Sequence, residues 1–222
     1  LGPPGTGKSL TGKAIARQLG LPLIIADISS VFGSLVGQSE RQADEMLATI
    51  NSLGSGVVLF DEADKMFGGA ADATGDSGVT RRIFGKFLTW LQEDKAPNIF
   101  VIMTMNRIKG IPPEFLRKGR FDEVFYTDLP DGNERREILE IHMRKRGIVD
   151  PATIYGDDEW KEVIKATTNF VGSELEDVVK SSKLAAFTER QSHDPSFEET
   201  IKVIKETITL ATLDKENIDA IR

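Results

Sequence analysis

The feature that most constrains the fold is a glycine-rich segment at the start of the chain, GPPGTGKS, at residues 2–9. Its glycines, lysine and serine fit the spacing G-x-x-x-x-G-K-[ST]. Glycines allow a tight turn that brings backbone N–H groups against phosphate oxygens, and a following helix points its positive end at the same anions. A Gly-Pro turn before an ordinary helix is the alternative. The spacing predicts a nucleotide-binding phosphate loop formed by Gly2, Pro3, Pro4, Gly5, Thr6, Gly7, Lys8, Ser9 and Leu10.

Lys8 and Ser9 carry the chemistry expected of such a loop. The Lys8 ammonium would reach the β- and γ-phosphates of ATP as a point charge, and the Ser9 hydroxyl would ligate Mg²⁺. A phosphate loop normally follows a buried strand, but only Leu1 precedes it here. We therefore expect the first strand, and any membrane anchor, targeting signal or recognition domain, upstream of Leu1.

A second chemical centre lies at residues 56–64, which read GVVLFDEAD. The apolar residues 57–60 predict a buried parallel strand, and open α/β sheets bind ligands at the carboxyl ends of such strands. Asp61 suits the Mg²⁺ shell, directly or through water, and Glu62 suits a base that polarises an attacking water. An acidic turn after a strand is the alternative.

Apolar periodicity predicts an α/β core up to residue 131. Helices are expected over 8–19, 81–93 and 39–51, the last capped by Ser39, with a short helix over 112–122. Strands are expected over 21–27, 57–60, 98–104 and 124–130. Residues 68–80 show no periodicity and predict a mobile loop.

From residue 131 onward the pattern predicts helices only. Asp131 and Glu134 form a capping-box-like start, and further helices are expected near 157–167, 172–190, 195–210 and 214–222. The predicted fold is therefore α/β: a P-loop NTPase core with a parallel sheet over residues 1–131, followed by a small all-helical lid domain over residues 132–222.

Composition narrows the classes of function. The 35 acidic against 28 basic residues, a net charge of −7, argue against a surface that coats nucleic acid. The absence of cysteine argues against disulfides and thiolate metal sites, and His142 and His193 are too few for a histidine metal site. No apolar run approaches the roughly 20 residues that span a bilayer, so no membrane contact is expected from this segment.

These motifs resemble the AAA family of ATPases, in particular the clade of FtsH, the proteasomal ATPases and katanin. The resemblance covers nearly the whole chain: the phosphate loop, FDEAD at 60–64, T-x-N at 104–106, LRKGRFD at 116–122 and FVGSELEDV at 170–178. The segments DSGVTRRIFGKFLTWLQE and PPEFLRKGRFDE are most similar to a plastid and cyanobacterial AAA group known mainly as an open reading frame of unknown function.

The resemblance implies roles for further residues. Asn106 would be the sensor that holds the lytic water near the γ-phosphate; a polar strand end is the alternative. Arg117 and Arg120 match the two arginines that reach a neighbouring subunit's site and neutralise charge on the γ-phosphoryl group; a solvated basic turn is the alternative. The residues that would enclose adenine between the two domains are Ile138, His142, Gly172 and Ser173. A core-edge histidine is the alternative for His142.

Leu35, Val36 and Gly37 occupy the place of the family's pore loop, which often reads aromatic–aliphatic–glycine and grips a substrate polypeptide. No aromatic stands at the first position, and Phe32 is out of register. We expect a weaker grip, suited to remodelling a partner; packing between subunits is the alternative. No H-E-x-x-H follows the lid, so a complete FtsH-type protease is not expected.

Together these residues predict a Mg-ATP hydrolase that works as a homo-oligomeric ring, expected to be a hexamer, and remodels a protein client in the cytoplasm or the plastid stroma. A nucleotide-gated scaffold or regulator is the alternative, and the presence of Glu62, Asn106 and both arginines argues against it. A DNA-remodelling ATPase is a third class. The acidic balance and the lack of an obvious DNA-binding appendage argue against that class, so no nucleic-acid partner is expected.

Overall fold

The computed structural model describes residues 1–27, 38–65, 77–107 and 119–213. These residues divide into two compact units. Among them, the first unit comprises residues 1–2 and those between 8 and 126, and the second comprises residues 3–7 and 127–213. The domain bounds expected from the sequence, 1–131 and 132–222, concern functional domains and stay a prediction.

The first unit is an α/β layer built on three parallel strands. Its elements in chain order are α1 (Lys8–Leu19), β1 (Leu23–Ala26), α2 (Gln38–Ser52), β2 (Ser55–Phe60), α3 (Ser77–Thr89), a π-helical turn (Trp90–Asp94) and β3 (Asn98–Met103). The strands lie in the order β1-β2-β3, with Phe60 opposite both Ala26 and Met103. The predicted α/β core with a parallel sheet is confirmed.

Strand β2 is the centre of this unit because its apolar run is covered on both faces. Its last four residues, Val57–Phe60, are at most 1% exposed. On one face α1 packs so closely that a Cβ added at Gly12 would stand 3.2 Å from a methyl group of Leu59. On the other face the Phe60 ring meets the edge of the Phe87 ring, with centroids 5.0 Å apart. Burial of β2 therefore brings the start of α1 to the residues that follow the strand.

The second unit is helical, as predicted. Its elements are α4 (Gly132–Lys145), a 3₁₀ turn (Pro151–Thr153), α5 (Asp157–Ala166), α6 (Gly172–Arg190), α7 (Phe197–Glu206) and α8 (Leu210–Leu213). The predicted capping box of α4 is confirmed: Asp131 accepts the N–H groups of Asn133 and Glu134, and Glu134 accepts the N–H of Asp131. An apolar core that includes Leu139, Trp160 and Leu175 holds the helices together.

The strand predicted over 124–130 is wrong, because residues 123–131 form no strand. Val124, Phe125 and Tyr126 are residue types with high strand propensity, but they are 54%, 76% and 41% exposed. A strand is stabilised by burial and by pairing with a neighbouring strand, and the strand propensity of its residues alone is not sufficient. The carbonyl of Phe125 accepts a hydrogen bond from the amino group of Leu1 at 2.8 Å.

Three predicted helix bounds are also corrected. Ser39 is no cap, because α2 begins at Gln38 and Ser39 lies buried in its first turn. Residues 77–80, expected in a loop, form the start of α3, which gives way to the π-helical turn at Trp90. The helix expected over 195–210 ends at Glu206, because Thr207 is extended and opens a β-branched run that disfavours helix. The predicted helices 112–122 and 214–222 lie wholly or largely outside the described residues.

Candidate functional site

Asp61, directly after β2, contacts residues that are far apart in the sequence. The Ser9 hydroxyl donates to Asp61 Oδ1 at 2.8 Å, and the Thr104 hydroxyl donates to the same oxygen. The first contact joins the start of α1 to the end of β2, and the second joins the ends of β2 and β3. A carboxylate and a serine hydroxyl are thus placed together as oxygen ligands that suit Mg²⁺.

Glu62 has an unusual backbone conformation. Its φ is +53°, a left-handed value that non-glycine residues seldom adopt and that often marks functional sites. Its N–H donates to Thr104 Oγ1 at 3.0 Å, which holds this turn against the end of β3. Its carboxylate forms an ion pair with Lys65, in which both side chains are about half exposed. The Glu62 carboxylate is therefore accessible to solvent, next in sequence to Asp61.

Lys8 opens α1. Its Nζ donates to the carbonyl oxygen of Gly2 at 2.8 Å. Burial lowers the pKa of the Lys8 ammonium, and the nearby carboxylates of Asp64, Asp61 and Glu62 partly oppose that shift. The lysine thus lies in the electrostatic field of three carboxylates.

The glycines of the loop have the backbone that the motif requires. Gly5 and Gly7 have φ values of +79° and +90°, a backbone conformation that residues with a side chain rarely adopt. The Thr6 hydroxyl donates to Pro3 O at 2.8 Å and closes the turn. Within the second unit, Gly5 O accepts the N–H of Ser173 at 3.2 Å, and a Cβ at Gly5 would stand 2.3 Å from Ser173 Oγ. The loop therefore packs on the first turn of α6 where only glycine fits.

His142 lies on α4, which packs against α6. Its Nδ1 is buried without a hydrogen-bond partner in the described part of the chain, and Glu176 Oε1 is 3.6 Å away. Desolvation lowers the pKa of the imidazole; Glu176 opposes this shift, and Lys145 and Arg146 reinforce it. Gly172 and Ser173 contact Gly5 at the start of α6. An adenine role for these residues and for Ile138 stays a prediction, as does the role of Leu10, which is 62% exposed.

Asn106 lies three residues beyond β3. Its backbone N–H donates to Asp64 Oδ1 at 3.0 Å, so the T-x-N segment is tied to the acidic turn. The sensor role of its side chain stays a prediction. Arg120 is partly buried, and its role towards a second subunit is also untested. Arg117 and the predicted pore loop, Leu35, Val36 and Gly37, lie outside the described residues.

Sequence reasoning gave no role to Thr104 or Asp64. Both contact the predicted site residues directly, Thr104 through Asp61 and Glu62, and Asp64 through Asn106. Polar residues at the carboxyl end of a strand next to β2 were the available signal for Thr104. The repeated acid in FDEAD was the signal for Asp64.

Comparison with known proteins agrees with this geometry. Residues 1–129, more than half of the 222, match the model of the "ATPase family associated with various cellular activities (AAA)". The chain is 42% identical over its whole length to the uncharacterized AAA domain-containing protein ycf46 of Pyropia yezoensis and 39% identical over 99% of its length to that of Guillardia theta, covering 44% and 42% of those proteins. Over 85% of its length, the chain is 32% identical to a cell division cycle protein 48 homolog of Archaeoglobus fulgidus. The match covers 25% of that protein.

The chain thus spans less than half the length of these relatives. No helix in the part that the structure describes has both the length and the apolar character to cross a membrane. The resemblance inferred from the motifs is confirmed, and this chain belongs to the AAA family of ATPases.

Proposed function

We propose that this chain binds ATP with Mg²⁺ and hydrolyses it to ADP and phosphate. The observation that carries the proposal is the 2.8 Å hydrogen bond between Ser9 Oγ and Asp61 Oδ1. These residues are 52 positions apart, and each is the one that its motif assigns to the metal. Two independent motifs that converge on one pair of oxygen ligands are hard to explain as an acidic turn or a Gly-Pro turn.

The residues fit Mg²⁺ better than an all-protein metal cage. Mg²⁺ usually takes one or two protein oxygens and completes its shell with water and substrate phosphates. Ser9 and Asp61 supply such oxygens, and no group of three or more histidine, aspartate or glutamate side chains suited to a metal occurs among the described residues. The bound ion would neutralise charge on the β- and γ-phosphates.

The roles of the other residues follow from their chemistry. Lys8 would hold the β- and γ-phosphates, and Asn106 would orient a water molecule. Glu62 would accept a proton from the water molecule while the water oxygen forms a bond to the γ-phosphorus. The bond between the γ-phosphorus and the β–γ bridging oxygen would break, and the electron pair of that bond would remain on ADP. The Glu62 carboxylate is half exposed, so it is accessible to water for this step.

The wider activity belongs to the same proposal. Adenine would contact Ile138, His142, Gly172 and Ser173, and the chain would form a ring, a hexamer by family resemblance. Arg117 and Arg120 would complete the site of a neighbouring copy, and Leu35, Val36 and Gly37 would touch a protein client in the pore. The match of residues 1–129 to the AAA family supports this wider activity, and a cytoplasmic or plastid-stromal location is part of the proposal.

Two substitutions test binding and turnover separately. Lys8→Ala should abolish binding of a fluorescent ATP analogue, because it removes the phosphate-paired charge. Glu62→Gln should keep binding and lower phosphate release by about 10²- to 10⁴-fold, the usual contribution of a general base. Lys13→Ala and Glu45→Gln, at exposed positions on α1 and α2, are the matched controls.

The outcomes separate the candidate functions. Undiminished turnover in Glu62→Gln would refute its role as the base. Tight ATP binding without turnover in the unmodified chain would favour a nucleotide-gated scaffold. Salt-dependent DNA binding would favour a DNA-remodelling ATPase.

Mixing of two inactive proteins tests the ring. Arg120→Ala subunits and Lys8→Ala subunits should regain part of the turnover when combined, because an intact loop can then meet an intact arginine. If verified mixed rings stay inactive, the arginines do not act between subunits.

A further inference from the structure

Thr104 is the buried hydroxyl that links the two acidic residues of the site. Its side chain donates to Asp61 Oδ1, and its oxygen accepts the N–H of Glu62 at 3.0 Å. Thr104 is 4% exposed, so water has little access to replace either hydrogen bond. Loss of one of them would therefore cost free energy. We infer that Thr104 is a positioning residue that orients the metal-binding carboxylate and the base-bearing turn together; the inference rests on the proposed function.

The backbone fixes where this hydroxyl points. The parallel register sets Phe60 opposite Met103, so the next residues, Asp61 and Thr104, are neighbours. The N–H of Thr104 donates to Phe60 O at 2.9 Å, and its carbonyl accepts the N–H of Ala63 at 2.9 Å. With the main chain held on both sides, the side chain has a defined direction towards Asp61.

The direction of each proton in this chain of hydrogen bonds is also defined. An ionised carboxylate only accepts, so Thr104 must donate its single proton to Asp61. Its oxygen lone pair is then available for the Glu62 N–H, which only donates. Because Ser9 donates to the same Oδ1, Asp61 Oδ2 is left as the oxygen that can take a metal ion or a water.

The second hydrogen bond acts on Glu62. This residue has φ +53°, which costs free energy and persists only where its surroundings hold it. The Glu62 N–H bond to Thr104 is one of the contacts that holds it. Loss of the hydroxyl would leave a partly buried N–H unsatisfied and let the turn relax, so the base would shift relative to the Asp61 carboxylate.

The test compares hydroxyl-bearing and hydroxyl-free side chains at residue 104. Thr104→Val keeps the shape and removes both hydrogen bonds, whereas Thr104→Ser keeps the hydroxyl. We expect Thr104→Val to lower kcat, and the Mg²⁺-dependent gain in ATP affinity, by about 10- to 100-fold, the range for partners of metal ligands. The Mg²⁺-free affinity for a fluorescent ATP analogue, and both properties of Thr104→Ser, should stay within about threefold of the unmodified chain.

The matched control is Thr200→Val in the helical unit. Thr200 is 1% exposed, and its hydroxyl forms a 2.6 Å hydrogen bond with Tyr155. This variant loses a buried hydroxyl without touching the site, so it should lower Tm and leave the Mg²⁺ dependence unchanged. If Thr104→Val fails to fold, Thr104→Cys against Thr104→Ser tests the same hydroxyl at nearly constant volume, because a thiol is a weak donor and acceptor.

Each outcome decides the inference. A hydroxyl-free variant that keeps both turnover and Mg²⁺ dependence within about threefold overturns it, as does a Thr104→Ser variant that loses as much as Thr104→Val. If the unmodified chain shows no turnover, the proposed hydrolysis fails, and the Mg²⁺ dependence of nucleotide affinity still decides the role of Thr104.

Discussion

Three carboxylates at helix starts in the helical unit and Asp61 in the α/β unit accept different kinds of hydrogen bond. In the helical unit, Glu159, Glu174 and Glu199 each accept a backbone N–H from three residues earlier, at Gly156, Val171 and Ser196. In the α/β unit, Asp61 accepts hydroxyls from residues 52 and 43 positions away. A carboxylate that closes a helix start stabilises local structure, whereas one that joins distant segments through hydroxyls assembles a site. Substitutions in the two units should therefore separate stability from activity.

The largest effect is expected for Asp61→Asn. The amide cannot serve as a charged Mg²⁺ ligand, so ATP turnover should fall by about 100-fold or more. The free energy of unfolding should change by less than about 1 kcal/mol, because the amide oxygen still accepts the two hydroxyls. Phosphate release and urea unfolding measure the two quantities. If the variant unfolds more easily and keeps its turnover, Asp61 stabilises the fold, as the carboxylates at the helix starts do, and is not needed for catalysis.

The next effect concerns stability and pH in the helical unit. Arg190 donates to both carboxylate oxygens of Glu199, at 2.7 and 2.8 Å, and these bonds lower the pKa of Glu199 to about 2. The folded pKa lies below the ordinary 4.5, so the stabilisation is complete above about pH 4.5 and is lost as the pH falls through about 2.

Glu199→Gln should therefore lower the free energy of unfolding by about 1.5–3 kcal/mol at pH 7, the range for hydrogen bonds to charged groups. The difference from the unmodified chain should shrink as the pH falls from 4.5 towards 2. Melting curves over this range test the prediction, with Glu198→Gln, an exposed neighbour, as the control. A difference that does not depend on pH would show that the ion pair is not its source.

A smaller effect is expected at the cap of α4. Asp131→Ala removes the acceptor for the N–H groups of Asn133 and Glu134 and should cost about 0.5–2 kcal/mol of stability. Asp131→Asn, which keeps an oxygen acceptor, should recover most of the loss. ATP turnover should remain unchanged in both. A loss of turnover with full stability would contradict the division between the two units.

The same division explains what the sequence could predict. Helix α6 was predicted over 172–190 and occupies Gly172–Arg190, and α5 differs from its prediction by one residue. Acidic residues three positions into a helix and apolar periodicity are local signals, so they can be read without the fold. The strand expected at 124–130 failed because a strand depends on a neighbour that local sequence does not specify.

The motifs selected residues of the candidate site, and the role of each of them stays a prediction. Asp61 and Ser9 were assigned to the metal from their motifs, and the structure brings them together. The link through Thr104 could not be predicted, because it depends on Phe60 being opposite Met103 in the sheet. A shift of the register by one residue would turn the side chain at 104 away from Asp61. Contacts between strands therefore required the structure, whereas contacts within one turn of helix did not.

The smallest effect is expected for Lys65, whose ion pair with Glu62 has features of both classes. It is local, three residues apart, yet it holds the side chain proposed as the base. The hydrogen bond that Lys65 donates to Glu62, together with the negative charge of Glu62, raises the pKa of Lys65. Because both side chains are about half exposed, water and salt screen the pair, and Lys65→Gln should change the free energy of unfolding by less than about 1 kcal/mol.

Turnover gives the sharper readout for this pair. Proton transfer from water would neutralise the Glu62 carboxylate and so remove its attraction to Lys65, and an exposed pair is worth up to about 1 kcal/mol, so Lys65→Gln should raise kcat by at most about fivefold. Lys65→Arg keeps the charge and should show no gain, and high salt should abolish the difference between the two variants. If Lys65→Gln instead lowers kcat tenfold or more at unchanged stability, the lysine orients the base, and this local ion pair belongs with the long-range contacts that assemble the site.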